Sequence, residues 1–362
     1  MTSPVIARLA PSPTGQLHLG NIRTFMWAWL SARAQGGRVI MRIEDLDSPR
    51  IKAGVAEKML GDLKWLGFEW DEGPGATEKG QFQGSVDGNG AVLDPLTPDS
   101  LRSSRPSPPQ GERGLRSYVQ TERREFYRGV FERLLKLGAI YPCVCTRGDI
   151  AAAQSAPHAG EHELRYPGTC RGRFSEKEIA AFAAGGLGAN GRAPAWRLKV
   201  EPEEIAFEDL LLGRCVANPY AEVGDFIVAK GPDNPAYQLA VVADDIDMKV
   251  NEVVRGDDLV PSTARQLLLY RLLGGTPPRY GHAPLIVGPD GMRLAKRHGE
   301  ARVAEYRSRG MTAERMVGVL GRWSGLEVRG DCALRDLIPL WGWERVRRER
   351  VVLTAGMLGE LG

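Results

Sequence analysis

Residues 5–10 read Val-Ile-Ala-Arg-Leu-Ala, close enough to apolar–polar alternation to predict a strand. Pro11-Ser12-Pro13-Thr14-Gly15 predicts a turn, because each proline fixes its own φ and biases the residue before it toward extended geometry. A helix is expected from about Ile22, where Phe25, Trp27, Trp29 and Leu30 supply a large apolar surface. Gly36-Gly37 ends that helix, and Arg38–Ile43 reads as the next strand. Strand, turn, helix and strand make a βαβ unit, so a parallel α/β core is expected.

The pattern breaks at residues 73–117, where 20 of 45 residues are Gly, Pro or Ser and Phe82 is the one aromatic. Such a segment buries too little apolar area to offset its ordering entropy, which predicts a disordered surface insertion. From Tyr118 an amphipathic helix is expected through Phe126, Phe131, Leu134 and Leu135. The expected organisation is a first half of the core over 1–138, an inserted α+β subdomain over 139–222, a second half over 223–300 and a short helical tail over 301–362.

Composition changes this picture little. The chain has 362 residues, 43% hydrophobic and 26% charged, which excludes global disorder and collagen-like or coiled-coil architecture. No run approaches the roughly 18–20 apolar residues of a membrane span. The opening Met1-Thr2-Ser3-Pro4 shows no targeting signal, so a cytoplasmic, membrane-free protein is expected, by default a monomer. A net charge of +3 is too small to decide on a nucleic-acid partner. Five scattered cysteines do not read as a disulfide framework, but Cys143, Cys145 and Cys170 lie close enough in sequence to suggest a metal.

Candidate chemistry begins at His18-Leu19-Gly20, where the first strand hands over to the first helix. Backbone N–H groups and the positive end of the helix dipole suit that position to phosphate. Arg293-Leu-Ala-Lys296-Arg297-His298-Gly299 reads as a mobile basic loop whose lysine meets charge developing on a transferring phosphoryl group. No Gly-x-x-x-x-Gly-Lys-[Ser/Thr] occurs, and the Gly-x-Gly fragments at Gly73 and Gly88 fall in the insertion rather than after a strand.

Taken in order, Arg8–Asn21, Arg42–Asp47, Tyr237–Asp245, Val254–Asp258, Ser262–Tyr270 and the lysine loop resemble the class I glutamyl-tRNA synthetases. The resemblance implies a Rossmann-type catalytic core bearing that family's two signatures. Here these read His18-Leu-Gly20-Asn21 and Arg293-Leu-Ala-Lys296-Arg297, with Asn, Arg and Ala in place of a family histidine, lysine and serine. It further implies His18 and Lys296 as catalytic groups, and ATP, accompanied by Mg²⁺, held by His18, Gly20, Asn21 and Lys296. For glutamate it implies a pocket of Arg8, Ala10, Ser12, Glu44, Tyr237 and Arg255. Two carboxylates and one ammonium require two cations and an anion, and Arg8 and Arg255 are suited to bidentate contacts.

The spacing Cys143-x-Cys145-x20-Tyr166-x3-Cys170 resembles the structural zinc site of a truncated branch of the family, the glutamyl-Q tRNA(Asp) synthetases. His158 and His162 remain alternatives to Tyr166 as the fourth ligand, while Cys215 and Cys332 read as isolated buried thiols. Only 66 residues follow Lys296, too few for the large anticodon-binding region of the full-length enzymes. The truncated branch is expected to activate L-glutamate and transfer it to queuosine in the anticodon of tRNA(Asp). The alternatives are charging of tRNA(Glu) and a catalytically silent RNA-binding paralogue. Arg345–Arg350 is either a phosphate contact or a solvated helix face.

Overall fold

The computed structural model describes residues 4–46, 51–76, 116–152, 165–292 and 302–361. The strands are β1 (Ile6–Leu9), β2 (Arg38–Met41), β3 (Ile140–Cys143), β4 (Ala195–Leu198), β5 (Ile205–Asp209), β6 (Gly213–Ala217), β7 (Ile227–Gly231), β8 (Asn234–Pro235), β9 (Glu252–Gly256), β10 (Arg279–Ala283), β11 (Ile286–Val287) and β12 (Val351–Val352). The principal sheet runs β2-β1-β9-β10-β5-β6. Its first four pairings are parallel, and β5–β6 closes it as an antiparallel hairpin.

The expected βαβ unit is present. Helix Leu19–Ala34 connects β1 to β2 and buries Ile22, Met26, Trp27, Trp29 and Leu30. It starts three residues before the expected Ile22, because His18 and Asn21 form a capping box: Asn21 N donates to His18 Nδ1 and His18 N to Asn21 Oδ1, both at 3.3 Å. From β1 the chain crosses to β2 on one side, and β9 then pairs on the other. The carboxyl ends of β1 and β9 therefore flank a topological switch point, where ligands of open α/β sheets bind.

Strand β2 ends at Met41 rather than Ile43 because its backbone changes partners. Arg42 N donates to Leu9 O, Ile43 N to Tyr118 O and Glu44 N to Pro11 O. That swerve carries Glu44 toward the switch point. Of the expected insertion, residues 77–115 lie outside the described residues. Its margins belong to the fold: Pro74 O accepts from Trp70 Nε1 at 2.9 Å, and Arg116 pairs with Asp247 at 3.2 Å.

The expected boundary at 222/223 does not separate two sheets. A second, antiparallel sheet runs β3-β4-β7-β8 and takes β7 and β8 from beyond the boundary, whereas hairpin β5–β6, from before it, extends the principal sheet. Helix Arg124–Lys136 covers the second sheet through Phe131 and Leu134, with Phe131 edge-on to Trp196 at 4.8 Å.

Three α-helices, Val303–Ser308, Ala313–Trp323 and Ala355–Glu360, make up much of the C-terminal region, but it also contributes β12, which pairs with β11. Trp341 and Trp343 pack edge-on against Trp27, at 5.6 and 6.2 Å between ring centroids. A Cβ at Gly281 would overlap the Trp343 ring, so the β10 backbone admits glycine there. Arg345–Arg350 forms no helix, which corrects that expectation. Arg348 Nη1 donates to Leu211 O at 2.6 Å and Arg350 Nε to Asp257 Oδ2 at 2.9 Å, tying the segment to the body. No helix among the described residues is long and apolar enough to cross a membrane.

Candidate active site

A cavity of about 950 Å³ opens at the switch point. Its lining brings together Arg8, Ala10, Ser12, His18, Gly20, Asn21, Glu44, Tyr237 and Arg255, from four separate stretches of sequence. Lys296 lies outside the described residues. The lining also includes Thr14, Phe25, Lys52, Asp258, Leu285, Ile286 and Arg302, which the motif reading did not single out. Both charge signs face the space, as a ligand carrying carboxylates, phosphates and an ammonium requires.

His18 is the N-cap of the first helix. Because its Nδ1 accepts from Asn21 N, the ring proton sits on Nε2, which makes that nitrogen a donor. Gly20 leaves room for the ring to fold back: a Cβ there would sit 3.2 Å from His18 Cε1 and Nδ1, tight enough that the ring would have to shift. Asn21 thus has a definite task at the position where the signature ordinarily ends in histidine. It closes the cap.

The two pocket arginines differ in how much of their hydrogen-bonding capacity remains. Arg8 is buried, donates from Nη1 to Val254 O at 3.3 Å, and leaves its buried Nε without a hydrogen-bond partner, 3.9 Å from Asp245 Oδ1. Arg255 donates from Nε to His282 Nε2 (3.1 Å), from Nη1 to Gln266 Oε1 (2.8 Å), and from Nη2 to Leu259 O (3.2 Å) and Thr263 Oγ1 (2.8 Å). A guanidinium has five N–H donors. Arg255 therefore has one left, on Nη1, and the bidentate contact expected of it is not available in this geometry. Arg8 is the fork.

Glu44 is half-buried against Arg42, whose Nη2 donates to Glu44 Oε1 at 2.9 Å and whose Nη1 donates to Asp245 Oδ1 at 2.6 Å. Burial raises the Glu44 pKa above the ordinary carboxylate value, and the charges of Arg42 and Arg8 oppose that shift. Although burial disfavours its charge, Arg42 is held firmly protonated by Asp245, Glu44 and Asp244. Asp244 in turn accepts from Gln120, Arg123 and Tyr127. The Asp244-Asp245 pair thus anchors the arginines behind the pocket. Tyr237, at the start of helix Tyr237–Asp247, presents an exposed ring to the cleft.

The cysteine cluster lies apart from the cleft. Cys143 ends β3, and the sulfurs of Cys143, Cys145 and Cys170 all lie within 4.8 Å of one another. Tyr166 Oη is 3.4 Å from Cys143 Sγ and 3.7 Å from Cys145 Sγ, and it accepts from Cys170 N at 2.8 Å. A tetrahedral zinc with bonds of about 2.3 Å to sulfur and about 2.0 Å to oxygen places oxygen and sulfur ligands about 3.5 Å apart. The donor set fits. Arg197 stacks 3.6 Å from the Tyr166 ring centroid and fixes its face. Burial and the hydrogen bond with Cys170 push the Cys145 thiol up to about 12, so binding of a metal there would displace its proton. His158 and His162 lie outside the described residues. Cys215 and Cys332 are half-buried rather than fully buried thiols.

Residues 4–335 match the catalytic domain of the class I tRNA synthetases (E and Q). The chain is 42% identical to a glutamyl-Q tRNA(Asp) synthetase of Symbiobacterium thermophilum, over 98% of this chain and 97% of that one. It is 38% identical to another of that name in Rhodopirellula baltica, covering 98% of both. A glutamate–tRNA ligase of Syntrophus aciditrophicus is 36% identical, and the match covers 63% of its length. The fold superposes on a crystal structure of a glutamate tRNA ligase from Elizabethkingia meningosepticum with a TM-score of 0.75 at 24% identity, covering 99% of this chain and 69% of that one. The chain belongs to the class I tRNA synthetases (E and Q), and within them to the group of the glutamyl-Q tRNA(Asp) synthetases.

Proposed function

We propose that this protein activates L-glutamate with ATP and transfers it to the queuosine base in the anticodon of tRNA(Asp). The observation that carries the choice of acceptor is the end-to-end likeness to relatives of that name, at 42% identity over 97% of the relative. The cleft supports the choice of amino acid. Arg8 offers a guanidinium fork for one carboxylate and Arg255 a single N–H for the other, while Glu44 meets the ammonium. Tyr237 and Ser12 add hydroxyls, and Ala10 adds backbone.

The α-carboxylate attacks the α-phosphorus of ATP in line, pyrophosphate leaves, and glutamyl-adenylate forms. A queuosine hydroxyl then attacks the acyl carbon and AMP departs. Charge on the transferring phosphoryl group is met by His18 Nε2–H, by the N-terminal amides of helix Leu19–Ala34 around Gly20 and Asn21, and by Lys296. Mg²⁺ bound with ATP would supply further neutralisation of phosphate charge. Cys143, Cys145, Tyr166 and Cys170 would hold zinc, which would brace β3 against the loop before Phe174. The test is ATP–pyrophosphate exchange without tRNA. Exchange that depends on L-glutamate and is lost in H18A supports the reading; exchange that requires tRNA(Glu) points to an ordinary glutamate–tRNA ligase.

A further inference from the structure

His282 is a lone histidine in β10 that no motif marks, and it is fully buried behind the cleft. Its Nδ1 lies 2.6 Å from Asp209 Oδ2, and its Nε2 lies 3.1 Å from Arg255 Nε and 3.2 Å from Thr263 Oγ1. Asp209 ends β5, and its other oxygen accepts from Leu211 N and Leu212 N, both at 2.9 Å. We propose that His282 is a positioning residue that aims the Arg255 guanidinium into the cleft, and that Asp209 holds it in the one tautomer able to do so.

Donors and acceptors fix the tautomer. A guanidinium only donates, so His282 Nε2 must be the lone-pair nitrogen. A carboxylate only accepts, so Nδ1 must carry the proton. Both conditions select the neutral Nδ1–H form, and each bond enforces the other. The surrounding charges agree: burial and Arg255 depress the His282 pKa against the opposing pull of Asp209 and Asp257. Although burial disfavours its charge, Asp209 is kept ionised by His282 and by the Leu211 and Leu212 amides. Tyr280 stacks on the imidazole at 6.1 Å between ring centroids. Arg255 has one N–H left for a ligand, so its orientation decides whether that N–H faces the ligand. Hairpin β5–β6 thereby acts on the pocket although it lines none of it.

This inference rests on the cleft being the glutamate site. Asp209→Asn is nearly isosteric, but with its oxygen on the two backbone amides its NH₂ faces His282 Nδ1 and forces the Nε2–H tautomer. That tautomer points a hydrogen at Arg255 Nε–H. In ATP–pyrophosphate exchange, D209N is expected to raise KM for glutamate tenfold or more and to leave KM for ATP within twofold. H282Q retains an acceptor toward Arg255 and is expected to lose less than H282L, with D209N adding little in the H282Q background. A D209N enzyme with unchanged glutamate KM, or with both KM values raised alike, overturns the proposal. Should D209N fail to fold, H282Q against H282L reads the same contrast. Imidazole ¹⁵N NMR is independent of activity: the proposal requires Nδ1–H in the wild type, and an Nε2–H signal there overturns it. A wild type without glutamate-dependent exchange but with the Nδ1–H signal would remove the functional reading and keep the geometry.

Discussion

Tyr166→Phe separates a ligand from a hydrogen-bond acceptor at the cysteine cluster. The substitution keeps the ring under Arg197 and removes Oη, which accepts from Cys170 N at 2.8 Å and lies 3.4 Å from Cys143 Sγ. Leaving the buried Cys170 N–H unsatisfied costs about 1–3 kcal/mol, with or without metal. A zinc site weakened about 100-fold by losing one of four ligands forfeits a further ~2.7 kcal/mol of linked stabilisation at saturating zinc. Urea unfolding in excess chelator should therefore show a deficit of about 1–3 kcal/mol for Y166F, widening to about 4–6 kcal/mol with zinc. Metal content and competition with a chromogenic chelator report the same difference. An identical deficit in both conditions would refute Tyr166 as the fourth ligand, and H158A or H162A should then show the zinc-dependent loss.

Three further outcomes are expected. Gly20→Ala gains about 1 kcal/mol of helix propensity and strains a cap worth about 0.5–2 kcal/mol, so stability should move little while exchange falls more than tenfold as the His18 ring is displaced; unchanged exchange would contradict the role of that ring. Arg8→Lys keeps the charge but not the fork, and loss of a charge-assisted contact of about 1.5–3 kcal/mol should raise KM for glutamate roughly 10- to 150-fold in the exchange assay. His282 is neutral in the fold with its pKa below the ordinary 6.5, so the unfolded chain binds the extra proton. Stability should be full above pH 6.5 and decline as pH falls below it, by at most about 1.4 kcal/mol per unit, and zinc-saturated H282Q measured alongside should lack that component.

What could be read from the chain follows how local the interactions are. The βαβ unit and helix Arg124–Lys136 are written in short-range apolar spacing, and the cleft residues lie in contiguous motifs. The early start of the first helix has no ordinary sequence signal, because a His–Asn pair, rather than Ser and Glu, closes its capping box. Sheet membership of β5–β6 rests on pairing with β10, about 70 residues away, for which no local pattern exists. His282 and Asp209 are 73 residues apart and meet only through that pairing. The arginine run 345–350 has helical composition, yet Arg348 and Arg350 are taken up by Leu211 O and Asp257 from distant elements. Motifs marked Arg8 and Arg255 alike, and only the hydrogen-bond count told the fork from the single donor.

The central claim is the acceptor. Labelled glutamate, ATP and the purified protein are incubated with tRNA(Asp) carrying queuosine, with tRNA(Asp) lacking it, and with tRNA(Glu). Label on the queuosine form alone is the predicted result, and it should survive digestion of the acceptor end and remain with the anticodon fragment. Label on the 3′ end of tRNA(Glu) would contradict the account.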